Sequence, residues 1–431
     1  MTVKVSVQDL RIGMFIHLDL GWMAHPFPLS SFKISSAEQI ETIRALGLRE
    51  LRWNPERSDP AMGQADDQGT LTLHAAAAAP APVAEPLQDD PAQQARLAQE
   101  RALAAQLAAQ RLCEKQYNEA CREMRRLNEA VAGTPELARE SAQQLTQALM
   151  DKMLVEGEAC VRVLGEPAGD RASAHAMNVS IIALLLARQM ALPASDTLDL
   201  GMGAMLHDIG KLALPDRLRL AHDDFSQAEQ NLYREHVAHG VAHGRRMGLS
   251  PGALLVVAQH HEFADGSGWP KSVTQERMSL PARIVSMVNH YDNLCNAAVP
   301  SRSLTPHEAL SRMFSQSRSR FDSVLLNAFI RMMGIYPPGS VVQLSDDRYA
   351  MVMTVNAARP LKPCVLVHDR QVPVDQALHL NLEHAPDLGI RRSLKPNQLP
   401  AAAVEYLAPR QRVAYYFDIQ AAADAPLEQA A

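Results

Sequence analysis

From Pro135 to about Gly334 the chain moves through one helical pattern after another, "PELARESAQQLTQALMDKMLVEG" among them, interrupted by proline and glycine turns. A run of that length with that periodicity constrains the chain to a large, mainly α core domain. Composition agrees: 47% of residues are hydrophobic but only 5% aromatic, and alanine and leucine supply much of the apolar total. Such a mixture favours helices over sandwiches or barrels. With 431 residues, two or three domains of roughly 100 to 200 residues each are expected.

The flanks read differently. Residues 2–20 look like short strands, "SSAEQIETIRALG" starts a helix with Ser35 and Glu38 at capping-box spacing and Gly47 as its stop, and "LRELRW" looks like a returning strand. Residues 1–58 are therefore expected to form a small α+β module. The tract "HAAAAAPAPVAEP" lies within an alanine- and proline-rich linker assigned to 59–95. A helical connector is expected over 96–164, with Leu103, Leu107, Leu112, Tyr117, Met124 and Leu127 as its buried stripe. The core domain occupies 165–335. Beyond it, 336–431 holds a short β region, in which "PPGSVVQLSDDRYAMVMTVN" reads as a hairpin and "CVLVHD" as a third strand, and a disordered tail, "QAAADAPLEQAA".

Charge and cysteine usage exclude several classes. The formal net charge is −6 and no lysine or arginine block resembles a nucleic-acid arm, so polymer binding by bulk electrostatics is not expected. The five cysteines are scattered and never form CxxC, which argues against a disulfide framework or zinc knuckle and fits a reducing cytoplasm. "MTVKVSVQDL" lacks a basic segment followed by an apolar core, and "VSIIALLLA" is about half of what spans a bilayer, so no membrane association is expected.

The placement of the histidines carries the chemistry. His175 opens an apolar helix, His207 and Asp208 close another in "AMLHDIGKLALP", His236 lies in "REHVAHGVAHG", and His260 with His261 begins "HHEFADGSGWP". An imidazole and a carboxylate placed consecutively at the end of an apolar helix carry a desolvation cost that a cation offsets. Such donors suit iron, manganese or zinc. His236, His239 and His243 fall at i, i+3 and i+7, and spacing alone does not choose among them. Adjacent His260 and His261 project roughly 100° apart on a helix, which asks for a site wide enough for two ions or for one of them to stand behind the other.

Taken in order, these four motifs resemble the HD-GYP branch of the HD metal-dependent phosphohydrolases over residues of roughly 165 to 340. The first sixty residues also resemble the small domain found ahead of it in bacterial members. The resemblance implies an all-helical domain with two divalent ions, iron or manganese, that hydrolyses cyclic di-GMP to linear pGpG or GMP by a metal-bridging hydroxide. Carried over position by position, it makes His175, His207, Asp208, His236, His260 and His261 metal ligands, with Asp208 bridging, and leaves His239 and His243 as bystanders. Lys211 matches the family lysine that faces a phosphate oxygen. The glycines of "GSGWP" would let the loop turn beside that phosphate, and the same loop is a candidate surface for protein partners, with a homodimer also expected.

Several positions depart from the family pattern. Trp269 replaces its tyrosine, Phe263 an arginine, Asn289 an aspartate ligand, and Ala298 an arginine that contacts substrate, which leaves Arg302 as the remaining cation there. Asp292, about one turn beyond Asn289, reads as a solvated or hydrogen-bonded helix residue or as a replacement ligand. These departures keep open a second reading, a catalytically impaired cyclic di-GMP receptor or protein-interaction module.

Overall fold

The structure, a computed structural model, describes residues 3–18, 31–34, 36–46, 48–59, 91–154, 158–165, 170–220, 224–356 and 358–420. Most of the linker assigned to 59–95, nearly all of the tail, and the Ser35 and Gly47 helix signals lie outside them. The chain forms two compact units, Met1–Ala104 and Ala105–Ala431.

In the first unit, strands β1 (Val3–Ser6), β2 (Phe15–His17), β3 (Ser31–Lys33) and β4 (Glu50–Asn54) make an antiparallel sheet of order β1-β4-β2-β3 among the described residues, and helix α1 (Ala37–Ala45) follows β3. Ile16, Ile34, Ile43 and Leu51 fill its core. The α1 cap is Ser36, whose hydroxyl accepts the Gln39 N–H at 3.3 Å, one residue later than the sequence pattern indicates.

Helix α2 (Pro91–Ala130) begins in the first unit and ends in the second. Within the second unit its expected stripe is graded: Leu107 and Leu112 are half-buried, while Tyr117, Met124 and Leu127 are fully enclosed. There follow α3 (Pro135–Met153), β5 (Glu158–Val163), α4 (Arg171–Gln189), α5 (Ala194–Leu206), α6 (Gln227–Arg234), α7 (His236–Met247), α8 (Pro251–Gln259), α9 (Leu280–Cys295), α10 (Pro306–Gln316) and α11 (Ser323–Met333). Every residue of "VSIIALLLA" in α4 is buried, so a segment apolar on all faces is the central helix of the bundle. Each of its leucines and isoleucines contributes about 1.5–3 kcal/mol by leaving water, which outweighs any capping term. Among the described residues no helix is long and apolar enough to cross a membrane.

The remaining elements are β6 (Val341–Leu344), β7 (Tyr349–Asn356), β8 (Cys364–Val367), β9 (Leu380–Asn381), β10 (Ile390–Leu394), α12 (Ala401–Leu407) and β11 (Tyr415–Gln420). The expected hairpin and third strand are β6, β7 and β8. They belong to a larger sheet, seven-stranded among the described residues, that also takes in β5 and β11. Here the structure departs from the reading of 96–164 as helical throughout: "EACVRV" pairs antiparallel with β11, Tyr415 facing Val163 and Gln420 facing Glu158. Glu, Ala and Arg have good helix propensity, but inter-strand pairing and burial of Cys160, Val161 and Val163 override it.

Candidate metal centre

Each proposed histidine stands where a helix starts or stops. Asp170 caps α4 by accepting the Ser173 N–H at 2.8 Å, which sets the first turns of the helix and the position of His175. His207 is the residue on which α5 ends, and Asp208 opens the next turn. His236 is the first residue of α7 and His260 the residue after α8. Gly210 makes their meeting possible: a Cβ there would lie 1.9 Å from the His236 carbonyl oxygen and 2.4 Å from the Gly240 nitrogen. A side chain would push the turn carrying Asp208 away from α7.

Three of the rings are oriented by one local device. The Nδ1–H of His207 donates to the Ala204 carbonyl at 2.7 Å, that of His236 to Tyr233 at 2.6 Å and that of His260 to Val257 at 2.8 Å, in every case three residues back. This fixes the tautomer and leaves Nε2 as a bare lone pair aimed inward. His175 is held otherwise. Its Nδ1 lies 2.6 Å from Asp292 Oδ2, and the other Asp292 oxygen accepts from the amides of Asn178 at 2.8 Å and Asn296 at 2.9 Å.

The lone pairs gather in two groups that share Asp208. His175 Nε2 and His207 Nε2 are 3.1 Å apart and stand 3.6 and 3.4 Å from Asp208 Oδ2. His236 Nε2 and His260 Nε2 are 3.3 Å apart and stand 3.5 and 3.7 Å from Asp208 Oδ1. His261 joins the second group. Donors about 2.1 Å from a common cation are themselves roughly 3 to 3.5 Å apart, so these spacings fit an ion in each group. Charge fits as well: among the described residues Asp208 Oδ1 and His261 Nε2 are buried with no hydrogen-bond partner, an arrangement costing about 1–3 kcal/mol per group that a cation would relieve.

Burial disfavours the charged form and holds His236 down at about 4, with His260 and His261 well below the usual imidazole range, so all three present neutral nitrogens. Burial works against charge at Asp208 too, but Lys211 and then His207 overcome it and keep the carboxyl well below its ordinary value. For Lys211 the balance is the same. Burial would strip its proton, and Asp208 Oδ2, 2.6 Å from Nζ, holds it on.

The other sequence-derived residues divide. Asn289 and Arg302 line the same cavity, but Asn289 Oδ1 is taken by the Asn293 amide at 2.7 Å, and Arg302 Nη2 stands 3.7 Å from Asp224. His239 and His243 belong to neither group, and His239 faces Glu235 at 3.8 Å. The "HHEFADGSGWP" motif contains a role the sequence reading missed. Glu262 is buried, and its two oxygens accept the Lys271 N–H at 2.7 Å and the Val273 N–H at 3.1 Å, stapling the loop on which Trp269 stacks against His261 at 4.0 Å. Its burial beside two histidines was visible only as "HHE". Tyr233 was also missed. Its carbonyl orients His236 and its ring lies 5.3 Å from the Lys211 ammonium.

With this geometry in view, residues 158–325 match the model of the HD domain family, and residues 2–142 match a domain of unknown function, DUF3391. All the donors of the two groups fall inside the HD domain match. The chain is 28% identical to a cyclic di-GMP phosphodiesterase of Pseudomonas aeruginosa, over 87% of this chain and 88% of the relative. The chain is also 30% identical to a cyclic di-GMP phosphodiesterase response regulator of Xanthomonas campestris, over 37% of this chain and 43% of the relative. A third relative is a 3'3'-cGAMP-specific phosphodiesterase of Vibrio cholerae, 30% identical over 38% of this chain and 35% of the relative. HD-domain phosphohydrolases depend on metal, and the His and Asp groups of this chain have the donors for it.

Proposed function

We propose that the protein is a phosphodiesterase that hydrolyses cyclic di-GMP to linear pGpG or GMP, using two divalent ions, iron or manganese. The observation that carries this reading is the division of Asp208. One carboxylate oxygen faces His175 and His207, the other faces His236 and His260. Those residues with His261 would hold the ions, and Asn289 would add an amide oxygen only by releasing Asn293. Bound ions supply positive charge against the phosphodiester's anionic oxygens and lower the pKa of water to near neutrality.

The chain's own residues do the rest. Lys211, kept protonated by Asp208, places a fixed cation at the edge of the cavity, where it meets charge that grows on a phosphate oxygen in the transition state. Asp292 accepts the His175 N–H and so keeps the opposite nitrogen facing the cluster. Trp269, stacked on His261, shields one side of the site from water. No side chain has to form a covalent intermediate.

The test is incubation of the purified protein with cyclic di-GMP and Mn²⁺, with products separated by chromatography and metal counted by elemental analysis. Linear product and two ions per chain support the reading. Tight binding of intact cyclic di-GMP without cleavage would move the protein to the receptor class.

A further inference from the structure

The cavity above the two histidine groups has a volume of about 1070 Å³, just above the ~300–1,000 Å³ usual for small-molecule sites. A cyclic dinucleotide carries two phosphodiesters, and cleavage engages only one of them. The other also needs countercharge. Most of the cavity's cations are already committed. Arg125 pairs with Asp170 at 3.1 Å, Lys211 with Asp208 at 2.6 Å and Arg219 with Asp216 at 3.0 Å. Arg302 faces Asp224 at 3.7 Å, and Arg312 donates to the Gln316 side chain at 3.2 Å. Arg171 is spent on the carbonyl oxygens of Asn296 and of Ala298, the position at which the family pattern has a substrate-contacting arginine.

Arg412 remains. It lines the cavity, is half-buried, and among the described residues its guanidinium has neither a hydrogen bond nor an ion pair. It also lies close enough to Arg171 for the two charges to repel. A half-buried cation held near another cation favours an anionic partner. Its backbone is nonetheless fixed. The neighbouring Val413 N–H donates to Asn296 Oδ1 at 2.8 Å, and the Val413 carbonyl accepts from Asn178 at 2.9 Å and from Asn296 at 3.0 Å. The same two asparagines hold Asp292, so the turn before β11 is tied to the frame that orients His175.

We propose that Arg412, contributed from outside the HD helices, binds the phosphodiester that is not being cut and thereby selects a cyclic dinucleotide over a substrate with one phosphate. This rests on the proposed phosphodiesterase reading and extends it. The planar guanidinium suits two phosphate oxygens at once, which a lysine ammonium does not.

The experiment compares wild type, Arg412→Ala and Arg412→Lys on two substrates, cyclic di-GMP and bis(p-nitrophenyl) phosphate, with metal content measured for each. Loss of a charge-assisted contact predicts a KM for cyclic di-GMP raised ~10-fold in Arg412→Ala and by less in Arg412→Lys. The KM for the single-phosphate substrate should be far less affected, so the ratio of the two is the diagnostic quantity. If the wild type binds without cleaving, the same shift is read in Kd. Unequal metal content, or equal KM changes on both substrates, would overturn the proposal in favour of a structural role. An unchanged KM for cyclic di-GMP would overturn it while leaving the phosphodiesterase reading intact. A wild type that neither binds nor cleaves cyclic di-GMP, yet cleaves the small diester, would remove both.

Discussion

The two halves of the candidate metal centre are built by opposite means. In the half containing His236 and His260, those two rings are each set by the carbonyl three residues before, so position and tautomer are encoded within one helical turn. In the other half His207 uses the same device, but His175 depends on Asp292, which is 117 residues away and is itself gripped by Asn178 and Asn296. One half is local. The other is only as good as the packing of α4, α9 and the segment before β11, and that difference allows the two halves to be separated by mutation.

The largest effect is expected where the halves are joined. Asp208→Ala should abolish hydrolysis and bring metal content towards zero, because it removes the one carboxylate facing both groups; retention of a full complement of tightly bound metal would show the shared-carboxylate description to be wrong. Lys211→Ala should leave metal in both halves and lower turnover by about 10²- to 10³-fold, the cost of one lost transition-state contact. Equal metal loss in the Asp208 and Lys211 variants would erase the distinction between holding metal and stabilising charge. Asp292→Asn tests the asymmetry itself. It keeps the shape but weakens the hold on His175, and affinity at that half should fall by about 10- to 100-fold with the second half unchanged, as read from a two-step metal titration.

Smaller effects follow. Asn289→Asp adds a full negative charge on α9 and retains an acceptor for Asn293, so occupancy at limiting Mn²⁺ and the rate measured there should rise several-fold and converge with wild type when metal is saturating. His239→Ala and His243→Ala should leave bound metal unchanged, since both stand outside the two groups. A loss of metal in either would mean that α7 presents a different face to the centre than the structure gives it.

The donors that the structure brings together in both halves are ones the sequence singles out, but the support that holds His175 is not. "HDIGK", "HVAHG" and "HHE" announce themselves because the donors are adjacent or one turn apart, and helix endings place them. Asp292 could be singled out as a hydrogen-bonded residue or a replacement ligand, but not as the partner of His175. On α9 it looks like any polar helix residue, and its partners Asn178 and Asn296 come from separate places in the chain. β5 was absorbed into a helix for the same reason. Its partner β11 lies more than 250 residues on, and helix propensity is all that a short window contains. Asn289, singled out by comparison with a family pattern, is occupied by a neighbour one turn away, a relation that only side-chain geometry reveals.

The pairing of β5 with β11 also orders events in time. Synthesis proceeds from the amino terminus at about 5–20 residues per second, so the histidines of the two groups and Asp208 leave the ribosome well before Tyr415 does. Until residues 413 to 420 arrive, Asn178 and Asn296 lack the Val413 backbone that positions them, and Asp292 lacks its full support. Closing a loop that encloses the whole HD bundle is a slow, high-separation contact. A nascent or truncated chain would therefore carry a complete set of donors without a finished centre, and maturation of the site would coincide with the last strand entering the sheet.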